Sequence, residues 1–423
     1  MSEEGCPHKI MKILQINKFF YLKGGSERYF FNLCELLQEK GHQVIHFSSK
    51  HKKNLPSIYS SYFISEIDYR KTKGILEKIK NAMHIFSNPE ANLKLEKLII
   101  DTKPDIAHLH NIYHQISFSI LPLLKKYKIP IVMTLHDWKL ICPNYRLYTK
   151  GKICEKCNRK KYYNAFLNKC VLDSYLISGI CCLEAYFNYL RNIYKHIDLF
   201  IAPSKFLKTK FVQFGFPEQK IVYLPNFVPP DITHISEEPL QDLHNKNDPY
   251  ILYFGRLSKE KGLFTLLNAM KFLPEITLKI SGTGEEECEL KKFAQRNSLD
   301  NIQFLGYNRD NSLKRIIRQS MFVVIPSEWY ENFPVSVLEA FSLKKPVIAS
   351  NIGGLPELVK NNKTGLLFEP GNYIDLKCKI EDLFNNSKKI KEMGENAKKL
   401  IEEKYNPELH YRKIIKIYAS LIH

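Results

Sequence analysis

The sequence has no run of about 18 apolar residues free of charge, so no membrane-spanning helix is expected. Its most apolar stretch, Tyr175 to Leu183, stops at Glu184. The opening residues MSEEGCPHKI carry no apolar segment and do not read as a secretion signal; they read as a lead-in before a strand at Met11. No short-period self-similarity is present, which argues against a solenoid. Recognition-helix, zinc-finger and RNP-like patterns are missing too. The net charge of +19 therefore needs another account than nucleic acid, which is not expected as a partner. The basic residues are spread out, and clusters such as Lys125-Lys126-Lys128 and Arg159-Lys160-Lys161 are short. An anionic substrate and peripheral contact with an anionic membrane surface are the remaining readings, beside a plain compositional bias toward Lys, Ile and Asn.

What is present is alternation. A chain of 423 residues is too long for one ordinary core and points to two domains. MKILQINKF, QVIHFSS, DIAHLHN, IVMTLHDW, DLFIAPS and KIVYLPN read as strands separated by helical stretches. Residues 67–100 read as polar and helical, and about 174–196 as one helix. Residues 227–249 are Pro-rich and polar, as suits a linker, and the pattern then restarts with PYILYFGR, ITLKISGTG, NIQFLG, MFVVIPS, PVIAS and TGLLFEP. The fold class expected is α/β, with two doubly wound Rossmann-like domains facing a cleft. The first spans 11–226 with a Cys-rich insert at about 142–170, the second 250–404, and a last helix, 405–423, is expected to pack back on the first.

The most informative stretch is PSEWYENFPVSVLE, residues 326–339. A buried strand precedes it and a helix follows, and that junction is where open α/β sheets bind ligands. Free amides of Val335, Ser336 and Val337 at the helix start suit a diphosphate. The carboxylates of Glu331 and Glu339 suit sugar and ribose hydroxyls. Arg256 and Lys261, in GRLSKEKG after another strand, could clamp the same phosphates and stabilise a departing nucleoside diphosphate. Gly282 and Gly284 end a further strand. In the first half, Lys23, Gly24 and Gly25 form a loop that lets the backbone approach a ligand closely. His136 ends a strand, with Asp137 as a candidate to fix its tautomer, while His110 and Asn111 end the neighbouring strand.

From about Met11 onward the chain resembles the family 4 (group 1) retaining glycosyltransferases of GT-B architecture. The resemblance rests on the E-x7-E stretch, the Arg256/Lys261 pair and the turn Gly353-Gly354-x-Pro356-Glu357, with KGG, HN and HD in the first half. The chain departs from the family pattern at Asn332 and at Pro334, where Gly is usual and where Pro gives up an amide donor. The resemblance implies transfer of a hexose-type sugar, with retention, from a nucleoside diphosphate sugar to a glycan or lipid-linked acceptor. His136, Arg256, Lys261 and Glu331 would act at the reacting centre. Gly25, Gly282, Gly284, Phe333, Val335, Ser336, Val337 and Glu339 would hold the donor, with Lys23, Gly24, His110, Asn111 and Asp137 on the acceptor side. It also implies a cytoplasmic enzyme of surface-polysaccharide assembly. No Asp-x-Asp occurs, in keeping with charge neutralisation by Arg256, Lys261 and helix amides and with no cofactor being required for catalysis. A non-catalytic binding protein on the same fold is the alternative.

Four of the ten cysteines, Cys142, Cys154, Cys157 and Cys170, fall in the insert, and the Cys154-x2-Cys157 pair has zinc-knuckle spacing. A structural zinc would pin a loop with little apolar content of its own; unliganded thiols are the rival reading.

Overall fold

Short runs of β-branched and aromatic residues, buried on both faces, build two parallel sheets. The computed structural model describes residues 10–67, 83–228 and 249–422. The expected lead-in, most of the 227–249 linker and the stretch 68–82 lie outside the described residues.

The first half runs β1 (Lys12–Ile16), α1 (Gly25–Glu39), β2 (Gln43–Phe47), α2 (Pro89–Thr102), β3 (Ile106–Leu109), α3 (Ile120–Lys126) and β4 (Ile131–Thr134). An insert follows, made of the hairpin β5 (Tyr148–Thr149) and β6 (Lys152–Ile153), then α4 (Tyr163–Leu167) and α5 (Tyr175–Leu190). The chain rejoins the sheet with β7 (Leu199–Ala202), α6 (Lys205–Gln213) and β8 (Ile221–Tyr223). The second half runs β9 (Tyr250–Phe254), α7 (Leu263–Met270), β10 (Thr277–Ser281), α8 (Glu287–Arg296), β11 (Ile302–Gly306), α9 (Asp310–Gln319), β12 (Val323–Ile325) and α10 (Val335–Ser342). It closes with β13 (Val347–Ser350), α11 (Leu355–Leu358), β14 (Gly365–Phe368), α12 (Tyr373–Phe384), α13 (Ser387–Lys404) and α14 (Pro407–Ala419).

The two six-stranded sheets have the orders β2-β1-β3-β4-β7-β8 and β11-β10-β9-β12-β13-β14. Every pairing within them is parallel. In each sheet the strand order reverses beside the first strand, and a crevice opens beyond the carboxyl ends there. The first switch point lies between β1 and β3, the second between β9 and β12. These are the ends that carry Lys18, His110, Arg256 and the 326–334 loop.

The second domain's core divides over the two faces of its sheet, one cluster under α7 and α12 and the other under α10 and α13. Helix α14 packs on the first domain. Tyr411, Ile414, Ile415 and Tyr418 join its core, the Tyr418 hydroxyl lies 2.7 Å from His108 Nδ1, and the Lys40 ammonium lies 2.6 Å from Glu408. Asn406 caps α14, accepting the Leu409 amide, and Pro407 opens it.

Two expectations need correction. The helix expected over about 174–196 ends at Leu190, because Asn192 turns left-handed (φ 49°) and starts a separate 3-10 turn, Ile193–His196. The β5–β6 hairpin was not anticipated; its turn uses Lys150 and Gly151 at positive φ.

The loops at the second switch point touch through glycine. A Cβ on Gly282 (φ 146°) would sit 1.8 Å from the Gly255 carbonyl oxygen, and one on Gly284 would sit 2.1 Å from that of Leu257. We expect Gly282→Ala to lower the free energy of unfolding by about 2 kcal/mol or more. Gly215→Ala, at positive φ but in open space, should cost only about 1 kcal/mol. Urea midpoints for the two variants check the difference.

Candidate functional site

Arg256 leaves the end of β9, and its Nη2 lies 2.8 Å from Glu260 Oε1 while half its side chain stays exposed. Lys261 Nζ lies 2.6 Å from Glu331 Oε1, which also accepts from Ser327 Oγ at 2.6 Å. Burial pushes the Glu331 carboxyl up, but the Lys261 ammonium and the Ser327 hydroxyl outweigh it and hold it below the usual range, so it is ionised. The loop bearing it is braced on both sides. A Cβ on Gly262 would meet the Pro326 carbonyl oxygen at 1.9 Å, and one on Gly354 the Asn332 carbonyl oxygen, also at 1.9 Å. The Gly354 amide donates to the Glu331 carbonyl at 2.7 Å. The SGTG and GG turns thus hold the charged loops in place by close backbone packing. Gly282 and Gly284 abut residues 255 to 257.

At the start of α10 the Val335 and Ser336 amides are the helix's first two donors, with no carbonyl one turn behind them. The third amide was expected to be free, but Val337 N–H donates to the Pro334 carbonyl at 3.1 Å. Phe333, expected at the donor, turns into the core and packs on Tyr405 at 5.5 Å between ring centroids. Glu339 lies one turn into α10, and its Oε1 is 2.8 Å from Arg28 Nη1 on α1, across the cleft.

The first domain supplies a histidine stack. His136 Nε2 lies 2.9 Å from His110 Nδ1, and His110 Nε2 lies 2.9 Å from Gln15 Oε1. With that oxygen accepting, protons sit on His110 Nε2 and His136 Nε2, leaving His136 Nδ1 as an acceptor. Burial pushes His136 down to about 3, so the ring is neutral across the physiological range. His110 is therefore a partner of His136 and fully enclosed. Asn111 is also buried, its backbone N–H donating to Asn17 Oδ1. Asp137, expected to set the tautomer of His136, instead accepts from the Tyr113 hydroxyl and the Lys139 amide. Lys23 lies over the Phe19 ring at 3.9 Å. A Cβ on Gly25 would contact Val335 at 3.6 Å, so the KGG turn faces the start of α10.

Several contacts at the cleft escaped the sequence reading. Asn332 Nδ2 donates to the Leu135 carbonyl at 2.9 Å, and its Oδ1 accepts from Ser204 Oγ at 3.0 Å, tying the acidic loop to the strand end that bears His136. The Glu357 carboxylate accepts the Lys205 and Phe206 amides, capping α6 from the other domain. From the insert, Glu155 accepts from the Tyr330 hydroxyl at 2.7 Å, and Arg146 Nη1 lies 3.9 Å from Glu260. Lys18 follows β1, sits 3.7 Å over the Tyr113 ring, and is pushed down to about 8 by burial. None of these contacts has a local signal. Each depends on contacts between segments far apart in sequence.

The insert's thiols are only partly gathered. Cys142 Sγ donates to Asn144 Oδ1 at 2.9 Å, and the adjoining Cys157 thiol and Asn144, Arg146 and Leu147 amides hold the Cys142 thiol below its ordinary value. Cys154 and Cys170 lie near enough to act on Cys157. Among the described residues, the one trio of potential ligands within 4.8 Å of each other is His114, Cys181 and Glu184, outside this set. There the Lys139 ammonium, 2.6 Å from Glu184, already supplies the positive charge.

Burial raises Asp137 to about 6, against the pull of Lys18 and the Lys139 amide. The native state then binds more protons than the unfolded chain from about pH 4 to about pH 6, so stability falls as pH rises through that window. Asp137→Asn should flatten the slope, gaining on the wild type above about pH 6; urea midpoints across the window check it.

Two family profiles match the chain. "Glycosyltransferase Family 4" matches residues 23–171 and "Glycosyl transferases group 1" matches residues 235–400. An uncharacterized glycosyltransferase of Methanocaldococcus jannaschii, MJ1178, is 25% identical over 414 residues, covering 97% of this chain and 99% of that protein. The capsular polysaccharide biosynthesis glycosyltransferase CapM of Staphylococcus aureus is 26% identical over 244 residues, 52% of this chain and 61% of that one. Among solved structures, Anabaena HepE in complex with UDP and glucose superposes with a TM-score of 0.64 at 19% identity, covering 97% of this chain and all of that one. The two profiles occupy consecutive halves of a GT-B fold, and the chain belongs to the family 4, group 1 glycosyltransferases.

Proposed function

We propose that the protein transfers a hexose-type sugar, with retention, from a nucleoside diphosphate sugar to a glycan or lipid-linked acceptor in surface-polysaccharide assembly. The observation that carries the reading is the second switch point. There Lys261, in the loop after β9, pairs with Glu331 in the loop after β12; Arg256 follows the same β9, and Glu339 lies on α10, the helix that the second loop feeds. HepE, of the same fold, holds UDP and glucose, and CapM belongs to capsule synthesis.

In this reading Arg256, Lys261 and the Val335 and Ser336 amides take the diphosphate, where negative charge grows as the sugar leaves. Glu331 and Glu339 accept from hydroxyls of the sugar and ribose. Neutral His136, an acceptor at Nδ1, orients the incoming hydroxyl, whose proton passes to a donor phosphate oxygen on the face of departure. The cations are side chains, so the charge balance needs no divalent metal.

Calorimetry with uridine, guanosine and adenosine diphosphates tests the site, and turnover on a panel of nucleotide sugars tests the reaction. We expect one nucleotide to bind and Glu339→Ala to weaken it about tenfold to a hundredfold, the cost of a hydrogen bond to a charged group. No binding to any of the three would remove the reading. Undiminished affinity in the variant would remove the role of Glu339.

The insert carries a second part of the proposal, a structural zinc ion held by Cys142, Cys154, Cys157 and Cys170. Its support is the C-x2-C spacing, the Cys142–Cys157 contact and the amides turned toward Cys142 Sγ. We expect about one zinc per purified chain, lost in Cys154→Ser. Metal-free protein in both cases ends the idea.

A further inference from the structure

Among the described residues, the outer face of helix α5 is left open except at Phe187, where Phe86 packs at 5.4 Å between ring centroids. Leu176, Leu183 and Leu190 recur every seven residues, so they share one stripe, and they are 74%, 61% and 76% exposed. The stripe is widened by α4. Gly179 has no side chain, and the Phe166 ring lies where a Cβ would meet it at 3.4 Å, with Tyr175 5.3 Å away. Leu167 beside it and Leu172 in the following turn are also exposed. Of 22 exposed large hydrophobic side chains among the described residues, 10 fall between Ile153 and Leu190. Such clustering marks an interaction surface, whereas scattered apolar residues do not.

The charge beside the stripe is mainly positive: Lys169 lies over the Tyr175 ring, Lys160 over Tyr189 and Arg191 over Phe187. Residues 152–195 contain eight Lys or Arg and three acids. Two of the acids are already engaged, Glu155 by Lys210 and Tyr330, and Glu184 by Lys139. Asp173 alone is left to offset the basic rim.

We propose that the outer face of α5, with α4 beside it, is a docking surface for an anionic lipid bilayer. A one-sided apolar stripe within a basic rim is the pattern of a helix lying in the membrane interface. Helix α5 has 16 residues and buries Cys181, Cys182, Glu184 and Asn188 on its other side, so it lies along the bilayer and does not cross it. A second copy of this chain is the poorer occupant, because the two basic rims would repel each other. A neutral protein partner would leave the rim without a role.

The surface connects to the cleft. Glu184 on the inner side of α5 holds Lys139, three residues beyond His136, so the helix that rests on lipid also supports the acceptor-side loop. An acceptor anchored in the same bilayer would reach the cleft without leaving it. That last step rests on the proposed transferase reading; the docking surface does not.

The test uses the full chain without substrate, in co-sedimentation with vesicles of phosphatidylcholine alone and of phosphatidylcholine mixed with phosphatidylglycerol. We expect the mixed vesicles to bind about tenfold or more tightly, and the difference to shrink as salt is raised. Leu176→Ser with Leu183→Ser, and separately Arg159→Glu with Lys161→Glu, should each lower binding about tenfold, with melting curves and nucleoside diphosphate affinity unchanged. If the leucine variant fails to fold, the charge variant, whose side chains are on the surface, decides. Equal binding to both vesicle types, no binding, or variants that bind like the wild type would overturn the proposal. So would light scattering that shows a dimer broken by the leucine changes. Loss of vesicle binding with nucleotide affinity intact separates this inference from the transferase reading.

Discussion

A carboxylate taken out of water must be matched by a cation, and Glu331 is 5% exposed. Its ion pair with Lys261 is the constraint around which the second domain's ligand edge is arranged. Lys261 ends the loop after β9 and Glu331 lies in the loop after β12, so the pair joins the two strands that flank the switch point. For the pair to form, those loops have to approach more closely than side chains allow. Gly262 permits it, facing the Pro326 carbonyl at a distance no Cβ could tolerate, and Gly353 and Gly354 let the loop after β13 close as tightly on residues 331 and 332 from the other side. The result is a rigid charged floor at the point where the sheet already opens a crevice. An ammonium held by one carboxylate keeps hydrogen-bonding capacity for a second anion, because it has three donors.

The same logic recurs across the cleft. Glu339 meets Arg28, Asn332 meets Leu135 and Ser204, and Glu357 caps the first turn of α6. Every one of these second-domain groups sits at the carboxyl edge of its sheet, and each reaches the corresponding edge of the first. Ligand-binding edge and domain interface are therefore one surface. In the proposed reading, a donor that claims Glu339 would take a partner from Arg28. Most of these contacts involve a charged group bonded to backbone or to an opposite charge in a partly dry setting, where such bonds count for more than at an open surface.

How much of this was legible in the sequence follows from the range of the interactions. The strands could be read because parallel strands buried on both faces are continuous apolar runs, as in Tyr250–Phe254 and Val347–Ser350. The charged groups at their ends could be read because a doubly wound sheet puts strand ends at its ligand edge. The orientation of individual side chains could not. Phe333 and Val337 looked like donor contacts because they sit in the right loop and helix. Yet Phe333 fills space under Tyr405, and the Val337 amide is used by Pro334, the residue that departs from the family pattern. Asp137 looked like the partner of His136 because it is adjacent in sequence, but neighbouring residues at a strand end point apart. His110, from the next strand in the sheet, takes the place. Arg28 was invisible, and the partners of Glu357 were too, because each contact joins segments more than 150 residues apart.

The insert shows where local reading fails most. It has a small apolar cluster of its own, Cys157, Tyr162, Ala165 and Cys182, and of 17 non-glycine residues at positive φ among the described residues, 8 lie between 142 and 173. Such backbone persists only where surroundings over-determine it. Part of that determination comes from the other domain. Glu155 holds Tyr330 next to Glu331, Arg146 approaches the Glu260 that steadies Arg256, and Gly151 faces the Lys259 side chain. A segment that looks like an appendage in the sequence is thus one wall of the cleft. Its inner side meets the loops that bear Arg256 and Glu331, while its outer side presents the leucine stripe.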